Sequence, residues 1–146
     1  CEVIWGHYGD GHRGFCIEYD FSGSLNDFYR KHVFPVIYRE TLLDISEYLG
    51  EPKNFNNYFP IYAAMVKKNA WHYEREWRII IPFGLCDEEM NIAMPRITRI
   101  FLGAKFPAEK IETVQTIASC KPCEIVRMWI DQKTGEVHSN ASSSVG

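Results

Sequence analysis

The chain has 146 residues, 46% of them hydrophobic and 14% aromatic, and carries a formal net charge of −3. That composition excludes a disordered chain, and no apolar run approaches the roughly 20 residues a bilayer-spanning helix needs, so no membrane partner is expected. The mild acidity supplies no global field for nucleic acid, although Lys67, Lys68, Arg75 and Arg78 could form a local basic patch for a phosphate.

The first segment, Ile4 to Asp20, begins as a polar loop in which four glycines separate His7, Tyr8, Asp10, His12 and Arg13. Phe15 to Asp20 then alternates apolar and polar residues, with Phe15, Ile17 and Tyr19 on one face, as a strand does. Gly9, Gly11 and Gly14 spell G-x-G-x-x-G, but a dinucleotide fingerprint is preceded by a strand and followed by a helix, whereas a strand follows here. His7 and His12, five residues apart, make a poor metal pair unless the loop folds back, and no metal ligand is assigned.

Ser24 is expected to cap a helix reaching His32, with Leu25, Phe28 and Tyr29 inward and Asp27 in the favourable first turn. Val33 to Tyr38 reads as a strand, with Pro35 marking an edge or a start. Thr41 to Leu49 reads as a short helix stopped by Gly50. After a polar link, Tyr58 to about Asn69 reads as a helix with Pro60 in its first turn. Gly84 to Met94 is an acidic excursion, and Ile97 to Gly103 a strand. Pro107 opens a helix whose apolar stripe is Ile111, Val114, Ile117 and Ala118, and Glu124 to Ile130 is the next strand. A turn at Gln132 to Gly135 leads to a short last strand, and the serine-rich residues 139–146 read as a flexible tail.

The densest polar cluster is W-H-Y-E-R-E-W-R-I-I-I-P-F, Trp71 to Phe83. Ile79, Ile80 and Ile81 are consecutive and β-branched, which predicts a central strand covered on both faces. If that strand begins near Tyr73, then Glu74, Glu76 and Arg78 share one face about 7 Å apart, and Arg78 holds at least one carboxylate charged. An exposed strand end with a weak surface charge network reads from the same residues.

Five cysteines are an odd count, and no secretory leader precedes them, which together fit reduced thiols and a cytoplasmic location. The Cys120-Lys-Pro-Cys123 pair lacks the second pair of a zinc ribbon and follows a helix instead of preceding one, so it reads as ordinary cysteines. Because the sequence starts at Cys1 and not at a methionine, an upstream portion is expected.

Four stretches carry a family resemblance: W-G-H-Y-G-D-G-H-R-G-F-C-I-E-Y-D, then V-I-Y at Val36 to Tyr38, then K-x-x-x-W-x-Y-E-x-E-W-R from Lys67 to Arg78, and I-x-x-I-F-L-G ending at Gly103. Together they resemble the DUF2971 family over most of the chain up to about residue 130. Members of that family usually carry an Asn-Asp-Pro motif in an N-terminal portion. It is absent here, which implies the C-terminal part of a longer protein or an atypical member. Glu74-Arg75-Glu76 is also similar to the E-x-E element of ADP-ribosyltransferases. That likeness implies that Glu76 holds the ribose hydroxyl and Glu74 helps to activate the acceptor, with His7 as a further catalytic candidate. His7 or Tyr8 would position the dinucleotide, with His12 a further substrate-binding candidate, Arg78 or Lys67 would meet its pyrophosphate, and Trp71 or Tyr73 would stack on a ring.

The expected fold is a single α+β domain over residues 1–138, a mixed central sheet of five to six strands flanked by about four helices. Both polar clusters are expected at one cleft, with His7 beside Glu76. The expected activity is that of an ADP-ribosyltransferase-like or NAD-glycohydrolase-like enzyme, of the kind found in a bacterial toxin or defence effector. NAD would then be the substrate, and no tightly bound cofactor is expected. The alternatives are a metal-dependent phosphodiesterase or nuclease using His7, His12 and carboxylates such as Asp10 or Glu76, and a non-catalytic ligand- or partner-binding domain.

Overall fold

The computed structural model describes residues 2–23, 27–41, 43–46, 58–81, 93–120 and 122–139. In chain order these form α1 (Glu2–His7), β1 (Phe15–Asp20), α2 (Asp27–His32), β2 (Val33–Pro35), β3 (Ile37–Arg39) and α3 (Phe59–Met65). There follow β4 (Val66–Lys68), a 3₁₀ helix (Asn69–Glu74), β5 (Trp77–Ile79) and β6 (Arg96–Leu102). A second 3₁₀ helix (Ala108–Lys110), α4 (Ile111–Ser119), β7 (Glu124–Ile130) and β8 (Val137–Ser139) complete the order. The chain divides into two compact units, one made of Cys1–Gly23 with Met94–Gly146, the other of Ser24–Ala93.

The first unit holds a mixed four-stranded sheet in the order β1-β6-β7-β8. β1 runs antiparallel to β6, with Phe15 opposite Leu102 and Asp20 opposite Arg96. β6 and β7 are parallel, so their connection crosses one face of the sheet through α4, which supplies cover for the strands it joins. Ile100, Leu102, Phe106 and Ala118 form the buried core, with Ile97, Ile111, Val114 and Ile125 packed around them. Each such side chain, when fully buried, contributes about 1.5–3 kcal/mol. Ile117, expected in this stripe, is instead 65% exposed, because at nine residues the helix turns only one narrow face to the sheet. Pro107 is extended and precedes the 3₁₀ turn, which leads into α4.

The first segment is not a loop throughout, since Glu2–His7 is helical. Six residues are too few for a helical period to show in the sequence. The turn that follows is pinned to the end of β6: the Gly103 N–H donates to the Gly14 carbonyl (3.0 Å) and the Lys105 N–H to the His12 carbonyl (3.0 Å). The approach is so close that a Cβ on Gly103 would lie 2.2 Å from the His12 carbonyl oxygen, so only glycine fits there.

The second unit is organised about residues 33–39. Their first half pairs antiparallel with β5 and their second half parallel with β4. The N–H of Val36, between the two halves, donates to the Glu76 carbonyl (2.9 Å) and so continues the ladder. Instead of one central sheet of five to six strands, the described residues form a four-stranded sheet and two two-stranded ones. The β2–β5 and β3–β4 strands are three residues each and, among the described residues, pair only with one another. For the same reason the isoleucine run is not a strand covered on both faces: β5 ends at Ile79, which is 36% exposed. Asp27 stands in the first turn of α2 and Tyr29 is buried, as expected, whereas Ser24 and Leu25 lie outside the described residues. The helix expected to run to Asn69 stops at Met65, where β-branched Val66 turns extended and joins β3. The helix expected over 41–49 lies largely outside the described residues, and Leu43 to Ile45 are not helical. The acidic excursion and the tail, apart from Ala93, Met94 and Ser139, also lie outside them.

Candidate functional site

Glu74 and Glu76 are brought together, though not along a strand face. Asn69–Glu74 is a 3₁₀ helix closed by Arg75, whose backbone is left-handed (φ 48) and whose N–H donates to the His72 carbonyl (3.2 Å). That reversal separates Glu74, at the end of a helical turn, from Glu76, at the start of β5. Alternation along one extended strand therefore does not account for their meeting. Lys67, on β4, supplies the link: its ammonium donates to the Glu74 carboxylate and to Glu76 Oε2 (2.9 Å). Arg78 closes the cluster with two bonds to Glu76, Nε to Oε1 (2.7 Å) and a terminal nitrogen to Oε2 (3.1 Å), and a third to the Ala64 carbonyl. The fork geometry of guanidinium suits this two-point grip on a carboxylate.

The electrostatics follow from these contacts. The Arg78 hydrogen bond, opposed by partial burial and aided by Lys67, pulls the Glu76 carboxyl down to about 2. The Glu74 hydrogen bond above all raises the Lys67 ammonium, against the effect of burial. Arg78 is raised as well, chiefly by Glu76. Glu76 is therefore ionised at any physiological pH. The Glu74 side chain is only 5% exposed and that of Lys67 19%, so this pair is a nearly buried ion pair, while Glu76 keeps 30% of its side chain at the surface.

The sequence did not single out Tyr38 for a role, although it lies in the V-I-Y stretch. Its hydroxyl accepts the Glu76 backbone N–H (2.9 Å) and fixes the start of β5. A tyrosine three residues after Pro35 carries no local signal of such a bond, which spans 38 positions of sequence. Trp71 presents its ring to the Lys67 ammonium at 5.2 Å from the centroid, within cation–π range, and lies 6.1 Å from the Tyr73 ring. Lys67 and Arg78, expected at a pyrophosphate, are both engaged by the carboxylates.

His7, Tyr8 and His12 belong to the other unit. His7 ends α1, and its ring meets that of Tyr8 edge-on at 6.4 Å. His12, left-handed at φ 70, stacks on Trp5, and its Nδ1 is buried without a hydrogen-bond partner among the described residues. Asp10 is held below the ordinary carboxylate range by its hydrogen bonds to Arg13 (3.2 Å). Among the described residues no three His, Cys, Asp or Glu side chains converge as metal ligands would. Cys120 is exposed and Cys123 half-buried, both free thiols.

Two mixed α/β units, one of which carries a tight cluster of two carboxylates and two cations, define the class of protein this is. The family model described as protein of unknown function (DUF2971) matches residues 4–79, and the chain belongs to that family. The match covers the first half of this chain and ends with β5, where the resemblance had been expected to continue to about residue 130. Comparison with curated proteins and with solved structures gave no match, so the ADP-ribosyltransferase likeness rests on the Glu74-Arg75-Glu76 residues alone. Among the described residues no helix is long and apolar enough to cross a membrane.

Proposed function

We propose that the protein cleaves the glycosidic bond of a nucleotide, as an ADP-ribosyltransferase-like or NAD-glycohydrolase-like enzyme, with NAD as substrate and Glu76 as the group that faces the reacting sugar. The observation that carries this reading is a carboxylate fixed in place and held ionised, yet 30% exposed. Departure of nicotinamide takes the bonding electron pair with the ring nitrogen and leaves an oxocarbenium-like cation on the ribose. A preorganised negative charge stabilises that cation as it develops. Water then attacks the anomeric carbon and loses its proton to solvent, giving ADP-ribose; in transfer, an acceptor nucleophile replaces the water.

An ionised carboxylate has about four acceptor positions. Arg78 and Lys67 take three on Glu76, which leaves capacity for one sugar hydroxyl. In this reading Glu74 is a positioning residue that holds Lys67, because its carboxylate is nearly buried beneath that ammonium. A cytoplasmic bacterial toxin or defence effector is a setting such chemistry would suit.

The test is to incubate the protein with NAD and measure nicotinamide by chromatography. Wild type is expected to release it. Glu76→Gln is expected to lose about 10²-fold or more in rate, the cost typical of removing a preorganised electrostatic group. Absence of release by wild type, or equal release by Glu76→Gln, overturns the proposal. A second reading, recognition without turnover, is favoured by the neutralisation of both carboxylates by Lys67 and Arg78. Calorimetric binding of NAD with no nicotinamide formed would select it.

A further inference from the structure

The first unit contains a cavity of about 350 Å³ lined by Trp5 and Tyr8 from α1 and the turn after it, Phe15 and Cys16 from β1, Phe101 from β6 and Met128 from β7. Its size falls at the lower end of small-molecule sites, which are mostly apolar and largely preformed. We propose that this cavity binds a neutral, planar aromatic ring system of one or two fused rings, independently of the Glu76 reading.

The walls specify that class. With Ile4, seven side chains line the cavity; four of them are aromatic, and such rings stack face-on or edge-on against a flat partner. Met128 adds a polarisable thioether that also favours ring contacts. Among the described residues no charged side chain lines the cavity, so an ionised ligand would lose its hydration there without compensation. The volume suits a compact ring, and the flat aromatic walls favour such a ring over a flexible alkyl chain.

The site is also held open by its surroundings. Trp5 is clasped between the His12 ring, stacked at an interplanar angle of 14°, and Gly9, where a Cβ would fall 2.8 Å from the indole. The Gly14 N–H donates to the Gly9 carbonyl (2.7 Å), and Gly14 is in turn bonded to Gly103 at the end of β6. Trp5 is thus fixed before any ligand arrives, which lowers the ordering cost of binding. Tyr8 and Phe15 stand at 66% and 56% exposure, an amount of open aromatic surface that a bound ring would cover.

Cys16, an exposed free thiol on the wall, provides the readout, and Cys120, exposed and free on another element, the internal control. Full-length protein would be alkylated with iodoacetamide in the presence of indole, quinoline, adenine or nicotinamide, with n-decanol as a flexible apolar control, and each cysteine followed by peptide mass spectrometry. At ten times its dissociation constant, a ring that fits should slow Cys16 alkylation about tenfold and leave Cys120 unchanged. Met128→Lys, which places a charge in the cavity, should abolish the protection. Tyr8→Ala, a change at a side chain that is 66% exposed, should weaken it. No protection of Cys16 by any of the four rings, equal slowing of Cys16 and Cys120, or equal protection by decanol would overturn the proposal.

Discussion

At the scale of single residues, Glu76 ties stability to pH. Its carboxyl is lowered in the folded chain from an ordinary 4.5 to about 2, so the native state gives up this proton more readily than the unfolded chain does. The stabilisation is fully present above the unfolded value and is lost as pH falls from about 4.5 towards 2. Urea midpoints measured across that range should fall with acidification, and in Glu76→Gln they should fall less steeply. Lys67 makes a second case. Lys67→Met removes the ammonium from a carboxylate that is 5% exposed, and breaking a buried pair on one side costs about 3 kcal/mol. Lys67→Met with Glu74→Gln should cost less than Lys67→Met alone, because the stranded negative charge is removed as well. Equal losses in urea unfolding would show that Glu74 does not feel Lys67. That Glu74, Glu76 and Arg78 lie close together in a polar stretch was legible in the sequence, although the strand face expected to align them is not what brings them together. The role of Lys67 as the centre of their cluster was not legible, because no pattern in the sequence marks a seven- and a nine-residue bridge across a helical turn.

At the scale of elements, β1, β6, β7 and α4 follow from local pattern, and two glycines near them stand in opposite situations. Gly103 lies against the His12 carbonyl, whereas a Cβ on Gly6 in α1 would meet nothing within 4 Å. Gly103→Ala should therefore destabilise the protein by roughly 3 kcal/mol, since backbone rather than a mobile side chain must move to admit the methyl. Gly6→Ala should be neutral or stabilise by about 0.5–1 kcal/mol, because alanine loses less backbone entropy in a helix. Thermal melts of the two variants test the contrast; a harmless Gly103→Ala would mean that the turn is not pressed against β6. The three-residue strands of the second unit show the opposite situation. A period of two cannot be recognised over three residues, so Val66–Lys68 reads as the end of a helix until β3 is seen beside it.

At the scale of the whole molecule, residues Ser24–Ala93 are inserted between the two parts of the first unit. Asp20 at the end of β1 stands opposite Arg96 at the start of β6, so the chain leaves and returns on neighbouring strands about 5 Å apart. Replacing residues 24–93 by a short Gly/Ser linker should leave the β1-β6-β7-β8 sheet intact, since a domain insertion whose ends are adjacent can be removed without stretching its host. A dispersed amide spectrum and a cooperative melt are the expected result; a collapsed spectrum would show that the sheet requires the insertion.

The sequence by itself determined the long elements and the chemistry of the polar cluster. Six alternating residues in β1, runs rich in branched and aromatic residues in β6 and β7, a nine-residue amphipathic helix and a concentration of acidic, basic and aromatic side chains are all local properties. Only the tertiary structure decided that the isoleucine run is half-exposed, that the strands divide among three sheets, and that Lys67 and Tyr38 hold the two glutamates. Those outcomes depend on contacts between positions far apart in the chain, and on one left-handed residue, Arg75, that turns a helix end into a strand start. Side-chain periodicity records which face a residue turns inward; it carries no record of which partner waits there.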